Sequence, residues 1–230
     1  MDYSRLNYYL PRENVQDVTI AVIGCGAIGR SVASMTARLG PKKVILVDDD
    51  TIDTHNIPAQ NWRKSQVGMP KVEALAQEIL DQTDDVEVVA IKSRWTARPF
   101  ITTEVDYIWA TVDDIEVRKT IFDFHRDRVD GFFDIRIGPA VAQMFFVDTS
   151  AEDNGEWYEK TLFPASEAHR DGCVQPMSNF VAGIAAGHSV NTFVSRLAKK
   201  GWYTPSLTLY NAIDQSISVE NPIEYFQSMS

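Results

Sequence analysis

The chain has 230 residues, of which 44% are hydrophobic and 23% charged, and this balance predicts one large domain with an ordinary hydrophobic core. Its formal net charge of −10 argues against nucleic acid as a main partner, because phosphate backbones are bound by basic surfaces. The two cysteines favour a reducing cytoplasm, and the sequence offers neither a signal peptide nor an apolar run long enough for a membrane span.

Strand and helix signals alternate through the first half of the chain. A buried-type strand is predicted over Val18–Gly24, and a helix over Ala27–Leu39, which Gly40-Pro41 ends. A long polar loop, "TIDTHNIPAQNWRKSQVGMP", precedes a helix over Lys71–Asp81. Three more strands and a helix are predicted in "KVILVDD", "VEVVAIKS", "VDYIWATVDD" and "IEVRKTIFDFHRDR". This alternation predicts a doubly wound, Rossmann-like α/β fold with a mostly parallel sheet.

The second half changes character. The strands "GFFDIRIG" and "AVAQMFFVDT" are predicted to lie antiparallel, and an irregular polar segment follows them. A helix rich in small residues, "SNFVAGIAAGHSVNTFVSRLAKK", then leads to a last predicted strand, "SLTLYNAI", and a loosely held tail. With no visible linker, we expect a single domain over 1–230, with its nucleotide-binding part at about 17–130 and its loop and C-terminal part at about 131–215.

A glycine-rich turn joins the first strand to the first helix. Gly24, Gly26 and Gly29 form the pattern G-x-G-x-x-G between them. The first glycine permits a tight turn, the second lets the backbone approach phosphate, and the third lets helix pack on strand. The start of the helix then offers free N–H groups to an anion, so the turn predicts a nucleotide site for either NAD or ATP.

Acidic residues follow two of the predicted strands and favour ATP. Asp48, at the end of the second strand, is placed to bind the ribose hydroxyls, and Asp49 and Asp50 come directly after it. Asp113 and Asp114 end the fourth strand, so both clusters should face one crevice. Clustered carboxylates repel unless a cation lies between them, and Mg²⁺ prefers carboxylate and phosphate oxygens. We expect Asp114 or Asp50 to be a helix N-cap instead.

These motifs, taken in order, resemble a known superfamily. The glycine turn is followed by "VDDDTIDTHNIPAQ", "VGMPKVEAL" and "ATVDDIEVRKTI", which together resemble the ThiF/MoeB/ubiquitin-activating enzymes over about Tyr3 to Ala212. The short stand-alone ThiF-like proteins of bacteria and phages look most similar. The resemblance implies an ATP- and Mg²⁺-dependent adenylyltransferase that activates the C-terminal glycine of a ubiquitin-like, β-grasp protein, and it implies a homodimer.

The resemblance also implies roles for individual residues. Asp113 would hold Mg²⁺. Arg5 would reach across the dimer to the γ-phosphate of the ATP bound in the other subunit, and Cys173 would be the cysteine that accepts sulfur or an acyl group. Lys71 would contact the ATP phosphates, which suits a lysine at a helix start only when an anion is bound there. The other residues that would bind the nucleotide are Gly24, Gly26, Gly29, Asp48, Asp50, Asn56 and Gln60.

One position departs from the family pattern. The family's loop reads Asn-x-x-Arg-Gln with a catalytic arginine, whereas this chain reads "NIPAQ", so Ala59 stands at the arginine's position. Three outcomes stay open: Arg63 replaces that arginine, Arg5 carries its role alone, or adenylation is weakened or lost. Ala59 therefore keeps open a binding module for a ubiquitin-like partner. An NAD-dependent oxidoreductase, which would explain the glycines and Asp48, is a second alternative. Adenylation of a small carboxylate, as in the tRNA-dehydratase branch, is a related possibility, although the acidic charge disfavours a tRNA substrate.

Several single residues are expected to be structural. Cys25, within the glycine turn, is expected to serve packing, and a buried-thiol interpretation stays open for Cys173. The four histidines show no zinc-ligand spacing, and zinc is not expected. Arg136, in an apolar strand, should meet an internal acid rather than a partner's C-terminal tail. The tryptophans expected in the core or along the crevice wall are Trp62, Trp95 and Trp109.

Overall fold

A computed structural model describes residues 1–100, 102–138, 140–153, 155–162, 179–201, 204 and 206–227. The strands are β1 (Thr19–Ile23), β2 (Lys43–Val47), β3 (Glu87–Ile91), β4 (Tyr107–Ala110), β5 (Gly131–Ile137), β6 (Val141–Asp148), β7 (Leu207–Asn211) and β8 (Ile217–Glu220). The helices are α1 (Ala27–Ala37), α2 (Asn56–Gln60), α3 (Lys71–Leu80), α4 (Ile115–His125), α5 (Glu156–Glu159), α6 (Asn179–Ala198) and α7 (Pro222–Gln227). Among these described helices, none has the length and apolar character that crossing a membrane requires.

The strands of the described ranges form one mixed sheet in the order β3-β2-β1-β4-β5-β6-β7-β8. Strands β3, β2, β1, β4 and β5 are parallel, and β6, β7 and β8 continue the sheet antiparallel. The predicted Rossmann-like α/β fold with antiparallel C-terminal strands is therefore confirmed. From β1 the chain first builds β2 and β3 on one side of the sheet and then β4 and β5 on the other side. A crevice for a ligand forms where the strand order reverses in this way, beyond the carboxyl ends of β1, β2 and β4.

Both faces of the sheet are covered, and β1 shows this most directly. Ile20 and Val22 belong to a core shared with α1, α3 and α6, whereas Ala21 and Ile23 belong to a second core shared with α4. All five β1 residues are buried, as expected for a central strand between two helical layers. This packing fixes the glycine turn that leaves β1 at the edge of the sheet.

Two sequence predictions, for the long polar loop and for the last strand, differ from the structure. The polar loop contains α2, which ends at the left-handed Asn61 with φ of 60°, and a short 3-10 helix at Lys64–Gln66. "SLTLYNAI" is not the last strand, because β8 and α7 follow it. The turn into β8 passes through Gln215 with φ of 61°, and Asp214 accepts hydrogen bonds from the Ser216 backbone and hydroxyl. A short, exposed edge strand has too weak a hydrophobic pattern to be recognised from sequence.

Candidate nucleotide-binding site

A cleft of about 610 Å³ opens beyond the carboxyl ends of β1, β2 and β4. The residues that line it come from the glycine turn, from the segments after β2, β3 and β4, and from the starts of α1, α3 and α4. Seven of the residues predicted to bind the nucleotide or Mg²⁺ lie along it: Gly24, Gly26, Asp48, Asp50, Gln60, Lys71 and Asp113. A volume of this size lies within the range of small-molecule and cofactor sites.

The three glycines of the turn have three different reasons to be glycine. Gly24 has φ of +94°, and a Cβ on it would lie 2.8 Å from the backbone carbon of Thr111. A Cβ on Gly29 would lie 1.8 Å from the Gly24 carbonyl oxygen, so α1 packs on the turn at a distance that only glycine permits. At Gly26 a Cβ would meet, among the described residues, only the Gln60 amide nitrogen, at 3.8 Å. Gly26 therefore leaves the turn open to the cleft, as the predicted approach of phosphate requires.

Asp48 fastens the glycine turn to the end of β2. One carboxylate oxygen accepts the Cys25 N–H at 2.6 Å, and the other accepts the Asp50 N–H at 2.8 Å. Cys25 itself is fully buried, as expected for a packing residue. Burial raises the pKa of the Cys25 thiol well above its usual range, and the negative charge of Asp48 adds to this. The thiol is therefore protonated and not a nucleophile at neutral pH.

Two cations face the acids that follow β2. Lys71, at the first position of α3, is 4% exposed, and its Nζ lies 2.6 Å from Asp50 Oδ2. Arg94, after β3, is 90% exposed and lies 3.1 Å from Asp49. Carboxylate oxygens of Asp48, Asp49 and Asp50 all lie within 4.8 Å of one another, which concentrates negative charge at this side of the cleft. Each cation partly neutralises that charge and is placed where an anion could displace its carboxylate partner.

The two aspartates after β4 have separate functions. Asp114 is the N-cap of α4 and accepts the backbone N–H groups of Glu116 and Val117 at 2.8 and 3.3 Å. This confirms the N-cap prediction for Asp114, whereas Asp50 binds Lys71 instead. Asp113 is exposed in the cleft, and within the described ranges its carboxylate forms no hydrogen bond. An exposed carboxylate that no protein donor occupies is suited to hold a cation.

Sequence reasoning missed part of the cleft wall. Ser93 and Arg94 were not predicted to line it. Both lie within three residues of the end of β3, in "KSRW", so the rule that ligands bind beyond the carboxyl ends of strands could have found them. The tryptophans were expected either in the core or along the crevice wall. Trp95 lies in the cleft wall, whereas Trp62 and Trp109 are buried in the core at 3% and 0% exposure.

Arg136 meets an internal acid, as expected. Its Nε lies 2.6 Å from Asp134, while its Nη atoms donate to the Thr161 backbone and hydroxyl. Arg118 also pairs with Asp134, and the Tyr158 hydroxyl donates to Asp134 at 2.8 Å. Burial lowers the pKa of Arg118 to about 10 and raises the pKa of Tyr158. This buried network joins β5 to α4 and α5.

Other predicted residues lie away from the cleft surface or outside the described ranges. Ala59 lines the cleft, but Arg63 does not, because its side chain is 68% exposed and lies 3.9 Å from Glu78. Asn56 is buried and accepts the Asp53 N–H, so it shapes α2. Arg5 is exposed and does not line its own chain's cleft. Cys173 lies outside the described residues.

The family model described as ThiF matches residues 9–224. The chain belongs to the ThiF family. MccB from E. coli, solved with ATP, superposes with a TM-score of 0.76 over 95% of this chain and 70% of that one, at 17% identity. PaaA superposes with a TM-score of 0.73 over 94% of this chain and 75% of that one, at 19% identity. At such identities the likeness shows the fold.

Two curated relatives match the chain in part. The tRNA threonylcarbamoyladenosine dehydratase of Bacillus subtilis is 34% identical over 107 residues, which are 45% of this chain and 42% of that protein. The ubiquitin-like modifier-activating enzyme 5 of Drosophila willistoni is 30% identical over 135 residues, which are 53% of this chain and 33% of that protein. The match thus spans less than half the length of either relative.

Proposed function

We propose that this ThiF-family protein is an ATP- and Mg²⁺-dependent adenylyltransferase that activates the C-terminal carboxylate of a small ubiquitin-like protein. The observation that carries the proposal is one cleft that gathers the glycine turn, Asp48, Lys71 and Asp113. In its support, MccB has been solved with ATP, and one relative is named as an activating enzyme of a ubiquitin-like modifier.

The cleft has the charges that adenylation needs. The attacking carboxylate is already ionised at neutral pH, so no general base is required. Lys71 and the start of α1 would hold the phosphate chain and orient its α-phosphorus for attack. Asp113 would hold Mg²⁺, which supplies positive charge to the phosphates when bound. Asp48 would bind the ribose.

A dimer would complete the site. Arg5 is exposed outside its own cleft, so its proposed contact with the γ-phosphate requires a second subunit. Helix α6 presents a face suited to self-association: Phe180 and Ile184 are 68% and 39% exposed, and, apart from the backbone of α6 itself, no atom of the described residues lies within 4 Å of where a Cβ on Gly183 or Gly187 would be. Exposed apolar side chains beside small residues permit close helix packing. The homodimer, the reducing cytoplasm and the single-domain boundary remain predictions.

Two observations bear on variants of this function, and only the second favours one. The Bacillus subtilis relative acts on tRNA by its name, whereas a net charge of −10 opposes a tRNA partner here. Ala59 lines the cleft without charge and Arg63 stays outside it, which favours a second candidate, a binding module with weak turnover. Release of pyrophosphate on addition of a ubiquitin-like protein, but not of tRNA, distinguishes the leading proposal from both.

Thermal melting with ATP–Mg²⁺, with ATP plus EDTA, and with NAD tests the nucleotide assignment. A ligand at about 100 times its Kd stabilises the fold by about 2.7 kcal/mol. The proposal expects a shift with ATP–Mg²⁺ that EDTA reduces, and a shift with NAD alone contradicts it. Asp113→Ala should then remove the EDTA-sensitive part of the shift. Asp114→Ala is the matched control, expected to lower the melting temperature through loss of the α4 cap.

A further inference from the structure

A hydrogen bond behind the cleft fixes the orientation of the Gln60 side chain. The Trp62 Nε1–H donates to Gln60 Oε1 at 3.1 Å. An indole N–H can only donate, and a carboxamide has one accepting atom, so this bond determines which end of the amide faces Trp62. The two N–H donors of Gln60 must then face the other way.

Those donors lie at the glycine turn. Gln60 Nε2 lies 3.8 Å from the position that a Cβ on Gly26 would take. Gly26 is the N-cap of α1, and both Gly26 and Gln60 line the cleft. A phosphate chain bound at the start of α1 would thus meet the Gln60 amide as well as the backbone N–H groups.

Trp62 is held in turn by a buried ion pair. The Arg30 guanidinium lies 4.9 Å from the Trp62 ring centroid, and its Nη2 lies 2.9 and 2.7 Å from the two Glu78 oxygens. Glu78 is 5% exposed and also accepts from Gln66 Nε2 at 3.0 Å. Arg30 donates its backbone N–H to the Gly26 carbonyl at 2.9 Å. The support of Trp62 and the phosphate-binding turn therefore belong to one rigid unit.

We infer that Trp62 is a positioning residue for nucleotide binding, which holds Gln60 so that its amide donates to the phosphate chain at the glycine turn. The inference rests on the proposed ATP-binding function and deepens it. Gln60 adjoins Ala59, which offers the phosphates neither charge nor a side-chain hydrogen bond. The Gln60 amide supplies donors in that part of the cleft, and Trp62 and the Arg30–Glu78 pair fix their direction.

The test compares binding of ATP–Mg²⁺ and adenosine to the full chain by calorimetry. Trp62→Phe keeps an aromatic ring but removes the N–H. It should weaken ATP–Mg²⁺ binding about tenfold, as for loss of one hydrogen bond to a charged group, and leave adenosine affinity unchanged. Trp157→Phe makes the same chemical change in α5 and should alter neither affinity. Equal weakening for both ligands, or none, overturns the role of Trp62.

Gln60→Glu supplies a test that keeps Trp62 in place. The carboxylate can still accept the Trp62 N–H, but its second oxygen would face the phosphates and repel them. It should weaken ATP–Mg²⁺ binding more than Trp62→Phe does, again without an effect on adenosine. In a Gln60→Ala background, Trp62→Phe should have no further effect on ATP affinity, because the two residues act as one unit. Independent, additive effects overturn the inference.

The binding measurements distinguish failure of the positioning role of Trp62 from failure of the proposed ATP-binding function. If the unaltered protein binds no ATP–Mg²⁺, the proposed function fails and the role of Trp62 fails with it. If the unaltered protein binds ATP–Mg²⁺ and the Trp62→Phe variant binds it equally well, only the role of Trp62 fails.

Discussion

The ammonium group of Lys71 lies 2.6 Å from the Asp50 carboxylate, with the lysine side chain 5% exposed and the aspartate side chain 63% exposed. The pair is thus asymmetric: the cation is buried and the anion is solvated. A phosphate that enters the cleft can replace Asp50, because the released carboxylate remains in water. Lys71 is therefore available to bind an anion, and binding breaks only a partly exposed ion pair, which contributes little to stability.

Replacing Lys71 by methionine should therefore separate nucleotide binding from stability. Lys71→Met fills the same buried space and leaves Asp50 solvated, so the free energy of unfolding in urea should change by less than about 1 kcal/mol. Affinity for ATP–Mg²⁺ should fall about 100-fold, because a desolvated cation contacting phosphate is lost. Lys42→Met, at an exposed position, is the matched control. Unchanged ATP affinity in Lys71→Met would contradict the phosphate-binding role.

The glycine turn predicts opposite outcomes for two alanine substitutions. Gly29→Ala places a Cβ 1.8 Å from the Gly24 oxygen, so it should lower the melting temperature severely or prevent folding. Within the described ranges, the new methyl group of Gly26→Ala meets only the Gln60 amide, at 3.8 Å, so it should leave the melting temperature nearly unchanged while it weakens ATP binding. Circular dichroism melts with and without ATP–Mg²⁺ measure both.

Sequence reasoning found the parts of the site that depend on the backbone and on strand order. Residues at the carboxyl ends of β1, β2 and β4, such as Gly24, Asp48 and Asp113, lie at the same edge of the sheet because the strands are parallel, independently of side-chain conformation. The long-range side-chain contacts did not follow from sequence. Nothing in the spacing of Arg30 and Glu78 indicates that they pair, because α1 and α3 meet only in the folded protein.

The buried network around Asp134 should be a main determinant of stability. Asp134 is fully buried between Arg118 and Arg136, and the Tyr158 hydroxyl donates to it. Asp134→Asn leaves two buried guanidinium groups without their anion and should reduce the free energy of unfolding by about 3–5 kcal/mol. Tyr158→Phe removes one hydrogen bond and should cost only about 1 kcal/mol. Urea unfolding of both variants checks this order, and a smaller loss for Asp134→Asn than for Tyr158→Phe would refute it.

His125 predicts how stability depends on pH. Its ring is 2% exposed and packs edge-on against Phe100 at 5.2 Å, and its Nε2 is buried with no hydrogen-bond partner among the described residues. Burial lowers the pKa of His125 to about 4, and the positive charge of Arg128 adds to this. The unfolded chain instead takes up this proton near pH 6.5. The stability that the neutral ring provides is therefore complete above pH 6.5 and is lost as pH falls toward 4.

Replacing His125 by phenylalanine should remove this contribution while it keeps a neutral aromatic ring in the core. Between pH 7 and pH 5 the unaltered protein should lose about 2 kcal/mol of unfolding free energy more than His125→Phe does. Urea unfolding at the two pH values measures the difference. His55→Phe is the control, because the His55 side chain is 76% exposed and its ring is solvated in both states. Equal pH dependence in the unaltered protein and in His125→Phe would show that His125 takes up its proton at the same pH folded and unfolded.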